Sequence, residues 1–332
     1  MRLIMLTSGA QPAAAPFASS HIGGATYGGM WGFMRVLRLE QPSMHVISLD
    51  VPPGGRAEGA VSMLAGSKET EMSMHAGARV SRLRSGPPLR IVRNPVGKVR
   101  GAYVITGGLG GLGLRAAELV LERGASSVVL ASRSGRVARG GQGLESQLQA
   151  VLHAAKLLAV DSEDANETIA MLGSSLDFSR GSIGGVLHTA GIPDKGLISE
   201  MHRHRFEINA GPKAGGATRL HQAVASLSVD AMVQWSSVAA TFGNAGQATY
   251  AASNSYLDSL SLCRRTQANV GATMQWPLIT GAGMGAVGWS GKQAKSRGMA
   301  AISIDEYAAG LMLAITATAT MLSRAHVPLP SD

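Results

Sequence analysis

The chain has 332 residues, 45% of them hydrophobic, and a formal net charge of +9, which is enough apolar material for one large or two modest globular domains. A single cysteine, Cys263, excludes an internal disulfide framework and a cysteine-based structural zinc site, and fits a reducing, cytoplasmic setting. The apolar run LMLAITATATML falls well short of the roughly 20 residues of a membrane span, and the opening MRLIML is too short for a signal-peptide core, so no membrane segment is expected.

In chain order, RLIMLT and HVISLD read as strands flanking a helix around YGGMWGFMRVLRLE. They form a short α/β unit that starts almost directly on a strand, so its upstream portion is expected to be missing. Between Glu71 and Glu118 there is no acidic residue, while Arg79, Arg82, Arg84, Arg90, Arg93, Lys98, Arg100 and Arg115 intervene. The resulting positive field suits a dinucleotide phosphate or an acidic protein partner, or is simply a solvated face. Nucleic acid is not expected, because Tyr103 is the only aromatic residue in that interval and leaves no stacking platform. Within it, RLRSGPPLRIVRNPVGKVRG, residues 82–101, is rich in Pro, Gly and Arg, lacks any period, and reads as a linker. Strand-like runs then alternate with helical ones: AYVIT (102–106), RAAELVLERG (115–124), SVVLA (127–131), KLLAV (156–160), GVLHT (185–189) and AMVQWS (231–236). Such alternation calls for right-handed crossovers and a doubly wound parallel sheet covered on both faces.

VITGGLGGLGLRAAELV, residues 104–120, sets a Gly-rich turn between a strand and a helix, with Gly107, Gly111 and Gly113 fitting T-G-x-x-x-G-x-G. Glycines let the backbone approach a pyrophosphate while the helix start offers free N–H groups. Thr106, Gly107, Gly108, Leu109, Gly111, Leu112 and Gly113 are the expected phosphate-loop residues. About 20 residues on, LASRSGR carries Arg133 where a carboxylate would grip the ribose hydroxyls of NAD. Ser132 and Arg133 are therefore expected on the 2′-phosphate of NADP(H). Asp161, at the end of the third strand, either bonds the adenine or caps a turn.

Further on, VQWSSVAATFG places Ser237 just past a strand end, and Tyr250 follows thirteen residues later in QATYAASNSYLD. Ser236 points to the other side by strand alternation. Ser237 and Tyr250 can both donate to one carbonyl oxygen, but a Tyr with a pKa of about 10 needs a cation to act as an acid near neutrality. Four residues after it stands Asn254.

The Gly-rich loop, the Ser and the Tyr together resemble the short-chain dehydrogenase/reductase superfamily, which has Lys at the position of Asn254. FEINAGPKAGGATRLHQAVASL, residues 206–227, resembles the matching helix of ketoreductase domains from modular polyketide synthases and animal-type fatty acid synthases, in which Lys and Asn have exchanged places. The resemblance implies Lys213 as the cation that lowers the Tyr250 pKa and bonds the nicotinamide ribose, Tyr250 as a second residue at the cofactor, and Asn254 as the residue holding the Lys or a relay water. GGVLHTAGI, with Ala190 and Gly191, matches the segment beside the nicotinamide ribose, and ATMQWPLITGAGM matches the following strand and lid, with Pro277 near the nicotinamide. LTSGA, GGMWGFMRVLRLEQP, ISLDVP and GARVSRL resemble the later part of the family's structural subdomain. The implied organisation is a partial, degenerate Rossmann-like subdomain and linker over 1–94, followed by a catalytic Rossmann-type α/β subdomain over 95–332. The implied reaction is NADPH-dependent reduction of a β-ketoacyl thioester on the phosphopantetheine arm of an acyl carrier protein, among neighbouring synthase domains. A scaffold module without activity and a free-standing dehydrogenase are the competing readings. Lys195 stands where many members carry the second Asp of a Leu-Asp-Asp motif and Phe242 where others carry Trp, so neither usual guide to product stereochemistry applies.

Overall fold

A computed structural model describes residues 2–10, 23–52, 64, 69–75, 78–81, 98–138, 143–281, 283, 301–316 and 325–326. Residues 82–97 of the expected 82–101 linker, the 94/95 boundary and most of the segment after Gly283 lie outside the described residues.

Among the described residues, the second unit is built on a seven-stranded sheet. Its strands are β5 (Ala102–Thr106), β6 (Ser127–Ser132), β7 (Ala155–Ala159), β8 (Ile183–His188), β9 (Ala231–Ser237), β10 (Ala272–Trp276) and β11 (Ala325–His326). Their order across the sheet is β11-β10-β9-β8-β5-β6-β7, and every neighbouring pair is parallel. Residues of β5, β8, β9 and β10 are buried throughout, as strands covered on both faces must be. That is why they read as continuous apolar runs rather than alternating ones. One core cluster gathers Ile105, Leu130, Leu187, Trp235 and Met274, and a second gathers Val104, Val129, Val186 and Met232. The covering helices are α2 (Gly111–Glu122), α3 (Leu144–Val151), α4 (Ala165–Phe178), α5 (Arg203–Ala210), α6 (Gly216–Ala223), α8 (Ala248–Thr266) and α9 (Ile304–Thr316); a four-residue turn of helix, α7, spans Ala239–Phe242. Strand order reverses between β5 and β8, so the crevice at their carboxyl ends is the place where such sheets receive ligands.

The first unit has a four-stranded sheet in the order β1 (Arg2–Ser8), β2 (His45–Val51), β3 (Glu71–His75) and β4 (Ala78–Ser81). The β3–β4 pair is antiparallel, and the hairpin was not legible in the sequence. Helix α1 (Gly23–Glu40) lies against α8, the longest helix of the second unit. Contact is close enough that a Cβ on Gly32 would sit 2.3 Å from the Ala251 carbonyl oxygen. Arg35 of α1 holds Glu71 with two bonds of 2.8 and 2.9 Å and donates to the Ala240 carbonyl, which ties the two units together.

Candidate active site

The expected site residues fall at the carboxyl edge of the large sheet. Gly107 follows β5 with φ +69, and a Cβ there would lie 2.7 Å from the Ala190 amide nitrogen. A Cβ on Gly113 would lie 2.5 Å from the Gly107 carbonyl oxygen. These two positions let the loop fold tightly onto the start of α2. Among the described residues that helix has neither a side-chain cap nor an acidic residue in its first turn, a start whose N–H groups suit an anion. Leu109 is fully buried, and the Leu112 carbonyl accepts from the Tyr307 hydroxyl at 2.9 Å, so both contribute backbone and packing rather than side-chain chemistry. Gly108 is held by its N–H on the Ala131 carbonyl at 3.1 Å. Gly111 opens α2.

Ser132 and the exposed Arg133 stand at the end of β6. Asp161 follows β7, where its carboxylate accepts from the Glu163 N–H at 3.0 Å. The turn-capping role is thus present in the structure. A tight bare-backbone cradle, an uncapped helix start and an exposed arginine on the next strand form a donor set that fits a phosphorylated dinucleotide.

Thr106 lies under the loop. His188, at the end of β8, has Nε2 2.8 Å from the Lys213 carbonyl and Nδ1 2.7 Å from the Thr106 hydroxyl. A carbonyl can only accept, so Nε2 carries the proton and the Thr106 hydroxyl donates to Nδ1. Thr106 is 2% exposed and its hydroxyl serves His188. Burial lowers the His188 pKa to about 4, keeping the ring neutral. Sequence reasoning missed this residue; the available signal was a histidine inside an otherwise apolar buried strand.

Lys213 sits in a π-helical turn, Gly211–Gly215, between α5 and α6. Pro212 in that turn has no N–H for the helical ladder, and π-turns recur at functional sites. The Lys213 side chain is 3% exposed and its Nζ donates to the Trp235 carbonyl of β9 at 2.6 Å. The same Nζ lies 5.6 Å from the centre of the Tyr250 ring. Gly191 packs against it, since a Cβ there would be 2.7 Å from Lys213 Cε. Burial pulls the Lys213 pKa from 10.5 to about 8, with the nearby Asp258 carboxylate acting in the opposite direction.

Tyr250 lies in the first turn of α8. Burial lifts its pKa above the usual 10, while hydrogen bonding to the Ser237 and Asn254 side chains works the other way. This corrects the expectation of a Tyr250 already lowered towards neutrality: desolvation prevails, and the ammonium sits over the ring, tethered to Trp235. Ser236 donates to the Asn254 carbonyl at 3.2 Å, so it faces α8 and leaves Ser237 as the serine beside the tyrosine. Asn254 is fully buried; its Nδ2 donates to the Tyr250 carbonyl at 2.8 Å, and its Oδ1 has no partner among the described residues. Pro277 is buried directly after β10, whose Trp276 pairs with Ser237. The structure therefore brings Lys213, Ser237, Tyr250 and Asn254 together, with Ala190, Gly191 and Pro277 beside them.

A family model for the KR domain matches residues 101–281. The chain belongs to the ketoreductase domain family. Among curated relatives, polyketide synthase GfsA of Streptomyces halstedii is 33% identical over 312 residues, covering 92% of this chain and 4% of the relative. The 6-methylsalicylic acid synthase of Penicillium patulum is 30% identical over 296 residues, covering 83% of this chain and 16% of the relative. The ketoreductase chain thus spans only a small part of these relatives' length. Among solved structures, an A1-type ketoreductase superposes with a TM-score of 0.85 at 26% identity, over 99% of this chain and 69% of that one. The first ketoreductase of the tylosin polyketide synthase gives 0.80 at 30% identity, over 98% and 68%. Membership implies an oxidoreductase that reduces a β-keto group. No helix among the described residues is long and apolar enough to cross a membrane.

Proposed function

We propose that this ketoreductase domain uses NADPH to reduce a β-ketoacyl thioester, carried on the phosphopantetheine arm of an acyl carrier protein, to the β-hydroxyacyl thioester. In this reading residues 1–94 form a partial structural subdomain with its linker, residues 95–332 the catalytic subdomain, and other synthase domains are neighbours. The observation that carries the proposal is the meeting of Tyr250, Ser237, Lys213 and Asn254 beside a Gly-rich cradle, all at one sheet edge.

The loop Gly107–Gly113, Ser132, Arg133, Ala190, Gly191 and Pro277 would hold the dinucleotide, with Arg133 favouring the 2′-phosphate by a charge-assisted bond. Bound NADPH supplies the hydride. Tyr250, whose pKa burial lifts above the usual 10, holds its proton at neutral pH and would give it to the substrate carbonyl oxygen as negative charge develops there. Ser237 donates a second hydrogen bond to that oxygen. Lys213 stabilises the phenolate left behind. Asn254 offers its open Oδ1 to a relay water or to the Lys213 ammonium.

The test is incubation of the chain with NADPH and a β-ketoacyl thioester of N-acetylcysteamine. NADPH loss matched by β-hydroxyacyl thioester is the expected result. A lack of both, in protein that binds NADPH, would leave only a cofactor-binding scaffold.

A further inference from the structure

Glu40, the last residue of α1, belongs to the first unit, yet both of its carboxylate oxygens are engaged by loops of the second. Oε2 accepts from the Ile198 N–H at 2.7 Å and Oε1 accepts from the Gly246 N–H at 2.8 Å. Ile198 lies in the loop that follows β8, and Gly246 lies in the loop that leads into α8 and Tyr250. These two loops also touch directly, the Gly196 N–H donating to the Gly246 carbonyl at 3.1 Å. The connection continues through Asp194, which is fully buried. Its Oδ2 accepts from the Thr249 N–H at 3.0 Å, one residue before Tyr250, and its Oδ1 takes two bonds from Arg205 at 3.1 and 2.9 Å. A carboxylate that accepts two backbone N–H groups forms charge-assisted bonds, stronger than neutral ones. A single side chain from α1 thus joins the two loops that rim the crevice where Ser237 and Tyr250 meet.

We infer that Glu40 is a positioning residue for the reaction in the second unit. It holds the loops after β8 and before α8 in one arrangement, and through Asp194 it fixes the N-terminal turn of α8, so that Tyr250 and Ser237 face the substrate carbonyl together. The inference rests on the β-ketoacyl reductase reading for its kinetic part and on the hydrogen bonds alone for its structural part. It predicts a site that is incomplete without the first unit, because none of the loop residues named here supplies an equivalent carboxylate to both N–H groups at once. Glutamine at position 40 keeps the shape but leaves one amide N–H facing an NH2 group, so one of the two loops loses its partner. Alanine releases both.

The experiment compares the full chain with Glu40→Gln and Glu40→Ala. Amide exchange in peptides spanning 194–201 and 243–249 is followed by mass spectrometry, alongside kcat and KM for the β-ketoacyl N-acetylcysteamine thioester and Kd for NADPH. Exchange at both peptides should quicken by about tenfold or more, in keeping with the loss of charge-assisted bonds. The kcat/KM for the thioester should fall about tenfold or more in Glu40→Gln and further in Glu40→Ala, while NADPH binding changes less than about twofold. A general loss of stability would weaken cofactor and substrate use alike, so this split separates positioning from support. If Glu40→Ala does not fold, Glu40→Gln decides. Unchanged exchange and unchanged kcat/KM would overturn the inference, as would equal losses of thioester turnover and NADPH affinity. A parent chain without turnover would sink the reductase reading instead; exchange alone then decides, unchanged protection overturning the clamp and faster exchange upholding it.

Discussion

Raising the pH past 8 should lower the activity of this domain while making its fold more stable, and both effects should disappear in Lys213→Met. The Lys213 pKa falls from 10.5 to about 8 because the ammonium is buried. In the proposed mechanism activity requires that ammonium, so it should decline as pH rises through 8. Between pH 8 and 10.5 the folded chain binds fewer protons at this site than the unfolded chain, so stability increases with pH across that window. The increase is at most about 3 to 4 kcal/mol, from roughly 1.4 kcal/mol per pKa unit. For catalysis, an ammonium 5.6 Å from the Tyr250 ring centre interacts with a phenolate by about 3 kcal/mol at an effective dielectric of about 20. Its removal should therefore slow the chemical step roughly a hundredfold. The assay pairs pH profiles of kcat with urea midpoints at the two ends of the window, taking parent minus Lys213→Met so that other titrating groups cancel. A Lys213→Met variant that keeps the parent's rate and alkaline limb, or a difference in stability that does not change with pH, would refute the reasoning.

Arg133→Ala should weaken NADPH binding by about tenfold or more and leave NADH nearly unaffected, as the loss of a charge-assisted phosphate contact requires; fluorescence titration with both dinucleotides checks this. Gly113→Ala should cost at least about tenfold in NADPH affinity, since its new Cβ would meet the Gly107 carbonyl oxygen at 2.5 Å and force the loop open. The neutral, buried His188 should make the fold acid-sensitive. Its pKa is about 4 against an ordinary 6.5, so the stability present above pH 6.5 is lost as pH falls towards 4, by roughly 3 kcal/mol. Urea midpoints should show a much flatter dependence over that range in His188→Gln.

The strands of the second unit were legible because parallel strands buried on both faces are written as short apolar runs. AYVIT coincides with β5, and the remaining runs match their strands to within one or two residues. The first unit's β1, α1 and β2 were legible because RLIMLT and HVISLD are short apolar runs flanking an apolar helical stretch, whereas the β3–β4 hairpin carries too few apolar residues to announce itself. At the site, the Gly-rich loop and the Ser237–Tyr250 spacing are local patterns. Lys213 is not: it was found only through resemblance, and its π-turn geometry follows from a proline whose effect depends on the helix continuing past it. The least legible features were ties across long separations. Glu40 and Gly246 are 206 residues apart, Thr106 and His188 are 82 apart, and nothing in the sequence around either end marks the partner. The raised Tyr250 pKa was missed for a related reason, because it depends on how much water the folded surroundings exclude and not on which residues stand nearby in the chain.

The central claim is that Tyr250 delivers the proton to a β-keto oxygen beside bound NADPH. The most direct measurement is single-turnover reduction of a β-ketoacyl thioester by the parent and by Tyr250→Phe, each first shown to bind NADPH equally. The account predicts a loss of about a hundredfold or more in the rate for Tyr250→Phe with unchanged NADPH affinity, in line with removal of a general acid. A Tyr250→Phe chain that reduces the thioester at the parent's rate would contradict it.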